Sequence, residues 1–324
     1  MKHPEPDGIG ESSERRKDTI PAPEPAVQME SLELIARRMV EGLMSGRHRS
    51  PFRGSSVEFV EHREYTRGDE FRHIDWRAFG KTGRYYIKEF EDETNLRAEM
   101  IVDTSSSMAY SGISGSKFSY ARALCASLSL LLLNQRDSVG LWLVSDQVSR
   151  PLNPTSNRSL FPNLAEILEN AEPRGKGGYA EGIRKLLSGL NRRSLVVLIS
   201  DFFDEPAQTV RMLEQLRDRR HDVVVLRIAA PEEEEFPFRQ PTLFRGLEDP
   251  SNQILADPLR LRDEYLKQYQ LFARNLDAEC GRLGVDYRVF RTDQSLAGSI
   301  MDWLSRRRAT HRSPALDRPA RDVQ

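Results

Sequence analysis

The chain has 324 residues, of which 38% are hydrophobic and 30% are charged, so it can form one large domain with an attachment or two domains. Its 48 Lys and Arg residues balance its 49 Asp and Glu residues, and the net charge of −1 gives no global basic field that would indicate nucleic acid. The longest apolar stretch, residues 124 to 133, is too short to span a bilayer. The amino-terminal sequence lacks the apolar core of a signal peptide, so we predict a cytoplasmic protein.

The first part of the chain predicts a leader followed by one helix. Residues 1 to 28 are rich in Pro, Glu and Ser and have little to bury, which predicts a disordered leader. From Ser31, apolar residues recur at the spacing of one helical face until Ser45, so we predict a short amphipathic helix. This helix opens a region that we assign to residues 29 to 95.

Residues 55 to 95 form a block in which dense charge surrounds aromatic residues. Strand-like pieces at 57 to 60 and 85 to 90 predict a β-ribbon with turns at Gly68-Asp69 and Thr82-Gly83. One interpretation is a solvated ribbon whose aromatic residues pack on the next domain. The other is a partner-docking face, because Trp, Tyr and Arg are favoured at interface hot spots. The candidate docking residues are Arg63, Tyr65, Asp69, Arg72, Asp75 and Trp76.

After Leu96, strands and helices alternate regularly, which predicts an α/β fold with a doubly wound, mostly parallel, Rossmann-like sheet. The predicted strands are 97 to 103, 139 to 145, 195 to 200, 223 to 229 and 285 to 291, with an antiparallel edge strand near 148 to 152. The predicted helices are 117 to 134, 158 to 170, 180 to 190, 206 to 219, 258 to 283 and 294 to 307. We assign residues 96 to 308 to this domain.

Two segments depart from the alternation. Residues 231 to 256 carry hairpin-like pieces and predict an insertion near the sheet edge, and residues 309 to 324 predict a disordered basic tail. Two helices start with acidic residues before a proline, at Asp204-Glu205-Pro206 and Asp257-Pro258, which predicts capping carboxylates. Cys125 and Cys280 lie far apart in helical segments and are expected to be buried, reduced thiols.

The candidate site follows two strands of the predicted sheet. Asp103 ends the strand at 97 to 103 and is followed by Ser105 and Ser107, and Asp201 follows the unbroken apolar strand at 195 to 200. In a doubly wound sheet these two strands become neighbours, so the four side chains meet at one crevice. Oxygen ligands of this kind suit Mg²⁺. Alternatively, Asp and Ser residues at strand ends simply cap the next helix.

Two sets of motifs carry a resemblance to known families. The Asp103, Ser105 and Ser107 pattern resembles the metal-ion-dependent adhesion site (MIDAS) of von Willebrand factor type A (vWA) domains, and Asp201 resembles the acidic residue of its third loop. The strings at 63 to 70 (REYTRGDE), 72 to 78 (RHIDWRA) and 86 to 91 (YIKEFE) resemble the signature of the DUF58 family. The resemblance extends from about residue 31 to about residue 307.

The resemblance implies a function in binding. A vWA-like domain would hold Mg²⁺ through Ser105 and Ser107, with Asp103 and Asp201 acting through water, and would offer an open coordination position to an acidic side chain of a partner. DUF58 proteins are commonly associated with MoxR-type AAA+ ATPases, which implies a role in ATP-driven assembly or maturation of other proteins. We therefore expect a protein-interaction module and not an enzyme.

The second loop of the motif departs from the vWA pattern. Type A domains usually supply a metal-binding threonine there, whereas this chain reads GKGGYAE at 175 to 181 and places Tyr179 at that position. A neutral phenol is a poor Mg²⁺ ligand. One ligand is therefore expected to be lost, and Lys176 is an alternative source of positive charge near the carboxylates.

Two other functions stay open at the level of sequence. Asp103 follows a buried strand and is a candidate nucleophile or metal ligand of a hydrolase or phosphotransferase, although the chain lacks the Asp-x-Asp-x-Thr layout and a paired base. In the other alternative, the 55 to 95 block docks on the partner and the sheet is a metal-free support.

Overall fold

A computed structural model describes residues 31–45, 57–64, 76–92, 96–175, 178–190, 192–249 and 251–311. The predicted leader and residues 312 to 324 of the predicted tail lie outside the described residues. Residues 309 to 311, which we assigned to the tail, instead form the end of a helix that runs to His311. The described residues from Ser31 onward belong to one compact unit. The helices are α1 (Leu32–Ser45), α2 (Trp76–Thr82), α3 (Lys117–Asn134), α4 (Phe161–Asn170), α5 (Tyr179–Leu186), α6 (Pro206–Asp218), α7 (Pro231–Glu235), α8 (Pro258–Leu283) and α9 (Leu296–His311).

The strands follow the predicted alternation closely. They are β1 (Val57–Glu64), β2 (Tyr86–Asp92), β3 (Arg97–Asp103), β4 (Ser111–Gly112), β5 (Gly115–Ser116), β6 (Ser138–Val144), β7 (Val148–Thr155), β8 (Leu195–Ser200), β9 (Asp222–Ala229), β10 (Thr242–Arg245), β11 (Gln253–Ala256) and β12 (Asp286–Arg291). Six of them form the main sheet in the order β12, β9, β8, β3, β6, β7. Only β7 runs antiparallel to its neighbour, at the edge. The α/β class and the mostly parallel, doubly wound sheet are confirmed.

The central strands are buried on both faces because helices cover both sides of the sheet. In β3, Met100 and Val102 belong to one hydrophobic core, whereas Ile101 between them belongs to the other. Strand β8 alternates in the same way. This two-sided burial explains why both strands read as nearly continuous apolar runs. The chain leaves β3 for β6 and β7 on one side and then returns to place β8 on the other, so the carboxyl ends of β3 and β8 are adjacent.

Helix α1 packs on the main domain through the face that its sequence predicts. Leu32, Ala36, Val40 and Leu43 are buried in the same core as the apolar residues of α3. At about 25 cal/mol per Å² of buried apolar surface, such a face supplies most of the stability of a short helix. The ribbon is also present, since β1 and β2 pair antiparallel. The prediction missed α2, which lies between the two ribbon strands in sequence.

The two acidic residues before proline behave differently. Asp257 caps α8 as predicted, because its carboxylate accepts a hydrogen bond from the amide of Leu259. Glu205 makes no side-chain cap on α6, so that prediction is wrong. Its neighbour Asp204 instead accepts hydrogen bonds from the amides of Gly178 and Ala180, at the start of α5. The carboxylate thus caps a helix on the adjacent loop.

The insertion consists of the short helix α7 and the hairpin of β10 and β11. Phe236 ends α7 in a left-handed conformation and stacks on Phe244 of the hairpin and on Tyr265 of α8. This aromatic contact joins the insertion to α8. None of the helices in the described ranges combines the length and apolar composition that a membrane span requires.

Candidate functional site

Asp103 is 2% exposed at the end of β3, and both of its carboxylate oxygens accept hydrogen bonds. Oδ1 accepts from the amide of Ser105 at 2.7 Å, and Oδ2 accepts from the hydroxyl of Ser200 on the neighbouring strand. Burial and, next to it, the nearby charge of Asp201 raise the pKa of Asp103 to about 7, although the hydrogen bonds that the carboxylate accepts act in the opposite direction. The predicted convergence of the ends of β3 and β8 is therefore present.

The serines of the motif lie in the loop that follows β3. The Ser105 and Ser107 hydroxyl oxygens are 3.0 Å apart and hydrogen-bond to each other. Ser106 points the other way and donates its hydroxyl to the carbonyl of Gly175, at 2.7 Å. The loop is further held by the amide of Arg174, which donates to the carbonyl of Thr104. These bonds join the first loop to the second.

Asp201 pairs with a cation that the sequence did not point to. The ammonium of Lys117, the first residue of α3, lies 2.7 Å from Oδ2 of Asp201 and 2.7 Å from Oε1 of Glu233 on α7. The lysine side chain is 1% exposed. Burial alone disfavours its charge, but the two carboxylates outweigh that effect and raise the pKa of Lys117. The ammonium is therefore charged and fully enclosed.

Tyr179 occupies the position at which vWA domains place threonine, and its hydroxyl is committed to the backbone. It donates to the carbonyl of Ile101 at 3.0 Å, and its ring packs edge-on against Phe202. Burial raises the pKa of Tyr179 well above its ordinary value, so the phenol stays neutral. Tyr179 thus belongs to the core beneath the sheet end and is not a metal ligand.

The donor set at this crevice does not fit Mg²⁺ as arranged. An octahedral Mg²⁺ site needs oxygen lone pairs directed at one point, whereas here Asp201 faces an ammonium and the two serine hydroxyls face each other. Within the described ranges, no cluster of three or more His, Cys, Asp or Glu side chains forms a metal site. The metal roles predicted for Asp103, Ser105, Ser107 and Asp201 stay a prediction of the family resemblance.

The predicted docking block is only partly described. Tyr65, Asp69, Arg72 and Asp75 lie outside the described residues, as does Lys176, and Arg63 is described only as a backbone position paired with Ile87. Trp76 begins α2 and is 61% exposed, with its ring edge-on to Phe79. An exposed tryptophan is consistent with either interpretation of this block.

Exposed apolar side chains surround the crevice. Ile113, at the tip of the β4–β5 hairpin, is 95% exposed, and its amide donates to the Glu232 carboxylate at 2.6 Å. Phe203, two residues after Asp201, is also exposed, and its ring centroid lies 5.2 Å from the ammonium of Lys117. Neither residue is predicted from the sequence, since single apolar residues in loops carry no periodic signal.

Phe203 also forms one wall of a groove of about 310 Å³ between the loop after β8 and helix α8. The groove is lined by Phe203, Asp204, Tyr265, Gln268, Tyr269 and Phe272. Tyr265, Tyr269 and Phe272 recur on α8 at the spacing of one helical face, a stripe that normally indicates the core. Part of that stripe instead borders solvent at the carboxyl edge of the sheet.

Several solved structures resemble this chain at low identity. BatB from Bacteroides thetaiotaomicron is 17% identical, with 65% of this chain and 98% of that protein covered, at a TM-score of 0.44. An aerotolerance-related membrane protein from Bacteroides fragilis is 17% identical, with 66% and 99% covered, at a TM-score of 0.42. The vWF domain of the pili tip protein Mfa5 from Porphyromonas gingivalis is 14% identical, with 64% and 85% covered, at a TM-score of 0.28.

The chain also has sequence relatives and matches one protein family. Uncharacterized proteins of Mycobacterium tuberculosis and Mycobacterium bovis are each 22% identical over 292 residues, which covers 89% of this chain and 92% of each relative. The family described as protein of unknown function DUF58 matches residues 61 to 271, which is more than half of the chain. The chain therefore belongs to the DUF58 family, and its main domain is an α/β fold with a six-stranded, mostly parallel sheet.

Proposed function

We propose that this DUF58 chain is a non-catalytic protein-interaction module, in which the loops at the carboxyl edge of the sheet bind a protein partner. The observation that carries the proposal is the exposed apolar surface at this edge. Ile113 projects into solvent on one side of the crevice, and Phe203 borders an aromatic groove on the other. Exposed apolar surface with aromatic walls is characteristic of protein interfaces and their hot spots.

The chemistry of the crevice supports binding over turnover. A nucleophile or general base needs a lone pair that a substrate can reach. Both oxygens of Asp103 already accept hydrogen bonds, and its carboxylate is buried. Asp201 is held by Lys117. We therefore favour an interaction role over the hydrolase or phosphotransferase alternative.

For the partner we propose a MoxR-type AAA+ ATPase, because membership of DUF58 implies that association. In this proposal the chain presents the crevice and groove to the ATPase during ATP-driven assembly or maturation of other proteins. The 55 to 95 block is the competing docking surface, and Trp76 is its described representative.

The direct test measures the affinity of the full chain for a purified MoxR-type ATPase from the same cells. Ile113→Asp and Phe203→Asp place a charge in the proposed interface and are expected to weaken binding about tenfold or more each. Leu271→Asp is the matched control, since Leu271 is exposed on α8 but does not line the groove. The control is expected to bind as the wild type does.

Two results would overturn this proposal. The first is unchanged affinity in both edge variants together with lost binding in Trp76→Ala, which would place docking on the 55 to 95 block. The second is turnover of phosphate esters by the wild type that disappears in Asp103→Ala, which would make the chain an enzyme.

A further inference from the structure

Lys117 reaches the crevice from a fixed position. It is the first residue of α3, and Ser116 caps that helix by accepting a hydrogen bond from the amide of Ser119. The amide of Lys117 donates to the carbonyl of Tyr110 at 3.0 Å, which closes the loop after the Asp-x-Ser-x-Ser motif. Its side chain then runs inward with almost no exposure. The local structure thus directs the ammonium into the carboxyl edge of the sheet.

The ammonium is surrounded by groups that favour a cation. Asp201 and Glu233 each accept a hydrogen bond from it at 2.7 Å. The rings of Phe203 and Tyr110 lie 5.2 Å and 5.6 Å away, within the range of cation–π attraction. Two carboxylates and two aromatic faces form a complete environment for one buried positive charge.

Because Lys117 occupies Asp201, a divalent ion at this crevice would lack the carboxylate that the metal motif assigns to it. Asp201 is the third-loop carboxylate of the metal motif, and here it is bound to the ammonium. A divalent cation at the serines would meet a positive charge in a site of low dielectric, where like charges repel strongly. The carboxylate of Asp204, in the loop after β8, is itself bound by the amides of Gly178 and Ala180 on the second loop.

We infer that Lys117 is a built-in cation that replaces the divalent metal of the vWA motif, so that this crevice holds its conformation and its charge without Mg²⁺. The lysine bridges the loop after β8 to α7, and Glu233 on α7 also accepts a hydrogen bond from the amide of Ala230. The ammonium of Lys117 thereby attaches the insertion to the carboxyl edge of the sheet. This inference concerns the crevice of the proposed function, but its test needs no partner, so the two proposals can fail separately.

The test is a titration of the purified full chain with MgCl₂ and MnCl₂, followed by melting temperature and calorimetric heat. The wild type is expected to show neither heat nor a shift in Tm. Lys117→Met removes the charge and keeps an unbranched apolar chain, so it leaves Asp201 and Glu233 unpaired and is expected to lower Tm by about 10 °C. Mn²⁺ is expected to restore part of that loss, because it can then occupy the vacated space.

Two controls separate charge from packing. Lys117→Met combined with Asp201→Asn removes both members of the pair and is expected to lose the response to Mn²⁺. Lys267→Met removes an exposed lysine that makes only a long i,i+3 contact with Glu264, and it is expected to leave Tm unchanged.

The inference is overturned if the wild type binds Mg²⁺ or Mn²⁺ with heat and a rise in Tm that Ser105→Ala abolishes. This experiment decides the question even if Lys117→Met does not fold. Folded Lys117→Met with the Tm of the wild type and no response to Mn²⁺ would also reject it, since the ammonium would then be dispensable.

Discussion

Strand β3 carries two buried carboxylates, Glu99 near its beginning and Asp103 at its end, and they are satisfied in different ways. Glu99 accepts hydrogen bonds from the indole of Trp142 at 2.9 Å and from the guanidinium of Arg150 at 2.9 Å, and Arg97 adds a third contact at 3.1 Å. The groups that donate to Asp103, which include the amide of Ser105 and the hydroxyl of Ser200, are neutral. One carboxylate is neutralised directly, whereas the other is not.

The difference separates a structural charge from a functional one. Glu99 lies inside the sheet, and its contact with Arg150 joins β3 to the edge strand β7. Asp103 lies where the strand opens onto loops, and within the described residues the ammonium of Lys117 pairs with Asp201 and not with Asp103. A buried carboxylate that lacks a cation of its own is costly to the fold. We attribute its presence to the binding face that the loops form.

The largest expected effect comes from breaking the Glu99 network. Glu99→Ala leaves the indole N–H of Trp142 and the guanidinium of Arg150 without their acceptor, and we expect the free energy of unfolding to fall by about 3 to 5 kcal/mol. Urea denaturation followed by circular dichroism measures it. Glu99→Gln keeps an acceptor and should lose less. A loss below about 1 kcal/mol for the alanine variant would show that the network contributes little.

The fold was largely predictable from sequence because apolar runs and turn residues act locally. The unbroken run Leu195 to Ile199 predicts a central buried strand, and β8 occupies that position. The charged block concealed α2, because its seven residues are too few to show a helical period beside the Thr82-Gly83 turn signal.

The site was predictable in part. The motif and strand order placed Asp103 beside Asp201, and the tyrosine at position 179 indicated a lost ligand. Lys117 was not identified, because a lysine at the start of a helix normally reads as a surface residue. Its partner Glu233 comes 116 residues later in an acidic run, and only the three-dimensional fold brings the two together. From sequence, the residue expected to place a positive charge near the carboxylates is Lys176, which lies outside the described residues.

The pH dependence of stability tests the environment of Asp103, the carboxylate at the end of β3. The folded-state pKa of Asp103 is raised to about 7 from 3.8, so the native state binds more protons than the unfolded state between these values. Stability is therefore expected to fall by about 4 kcal/mol as pH rises from about 4 to about 7, at about 1.4 kcal/mol per pKa unit, and to change little above that range. Asp103→Asn is expected to flatten this slope in urea titrations.

Asp137 provides the matched comparison for that slope. It lies before β6 at the opposite end of the sheet. Burial raises the pKa of Asp137 to about 7, although the hydrogen bond from the amide of Leu96 acts in the opposite direction. Asp137→Asn should therefore remove its own part of the slope, and the double variant should remove most of it. A slope that survives in the double variant would contradict the assignment to these two groups.

A smaller effect is expected at Tyr179. Tyr179→Phe keeps the ring against Phe202 but leaves the carbonyl of Ile101 without its donor, so we expect a loss of about 1 kcal/mol in urea denaturation. Tyr179→Thr also removes the ring and should lose about 3 kcal/mol without creating Mg²⁺ binding, because Lys117 still pairs with Asp201. A rise in Tm with Mg²⁺ in the threonine variant would show that the missing ligand alone prevents metal binding.

The smallest effect is expected at an exposed ion pair of similar geometry. Arg184 and Glu181 on α5 lie 2.7 Å apart, the same distance that separates Lys117 from Asp201, but both side chains of the α5 pair are largely in solvent. Water and salt screen such a pair, so Glu181→Gln should change the free energy of unfolding by less than about 0.5 kcal/mol. If Glu181→Gln lowered the free energy of unfolding as much as Glu99→Ala does, the distance between the charges, and not their burial, would determine what a charge pair contributes to stability. We expect the opposite, because Glu99→Ala leaves the buried indole N–H of Trp142 with no water to replace its acceptor, whereas Arg184 is solvated as soon as its partner is removed.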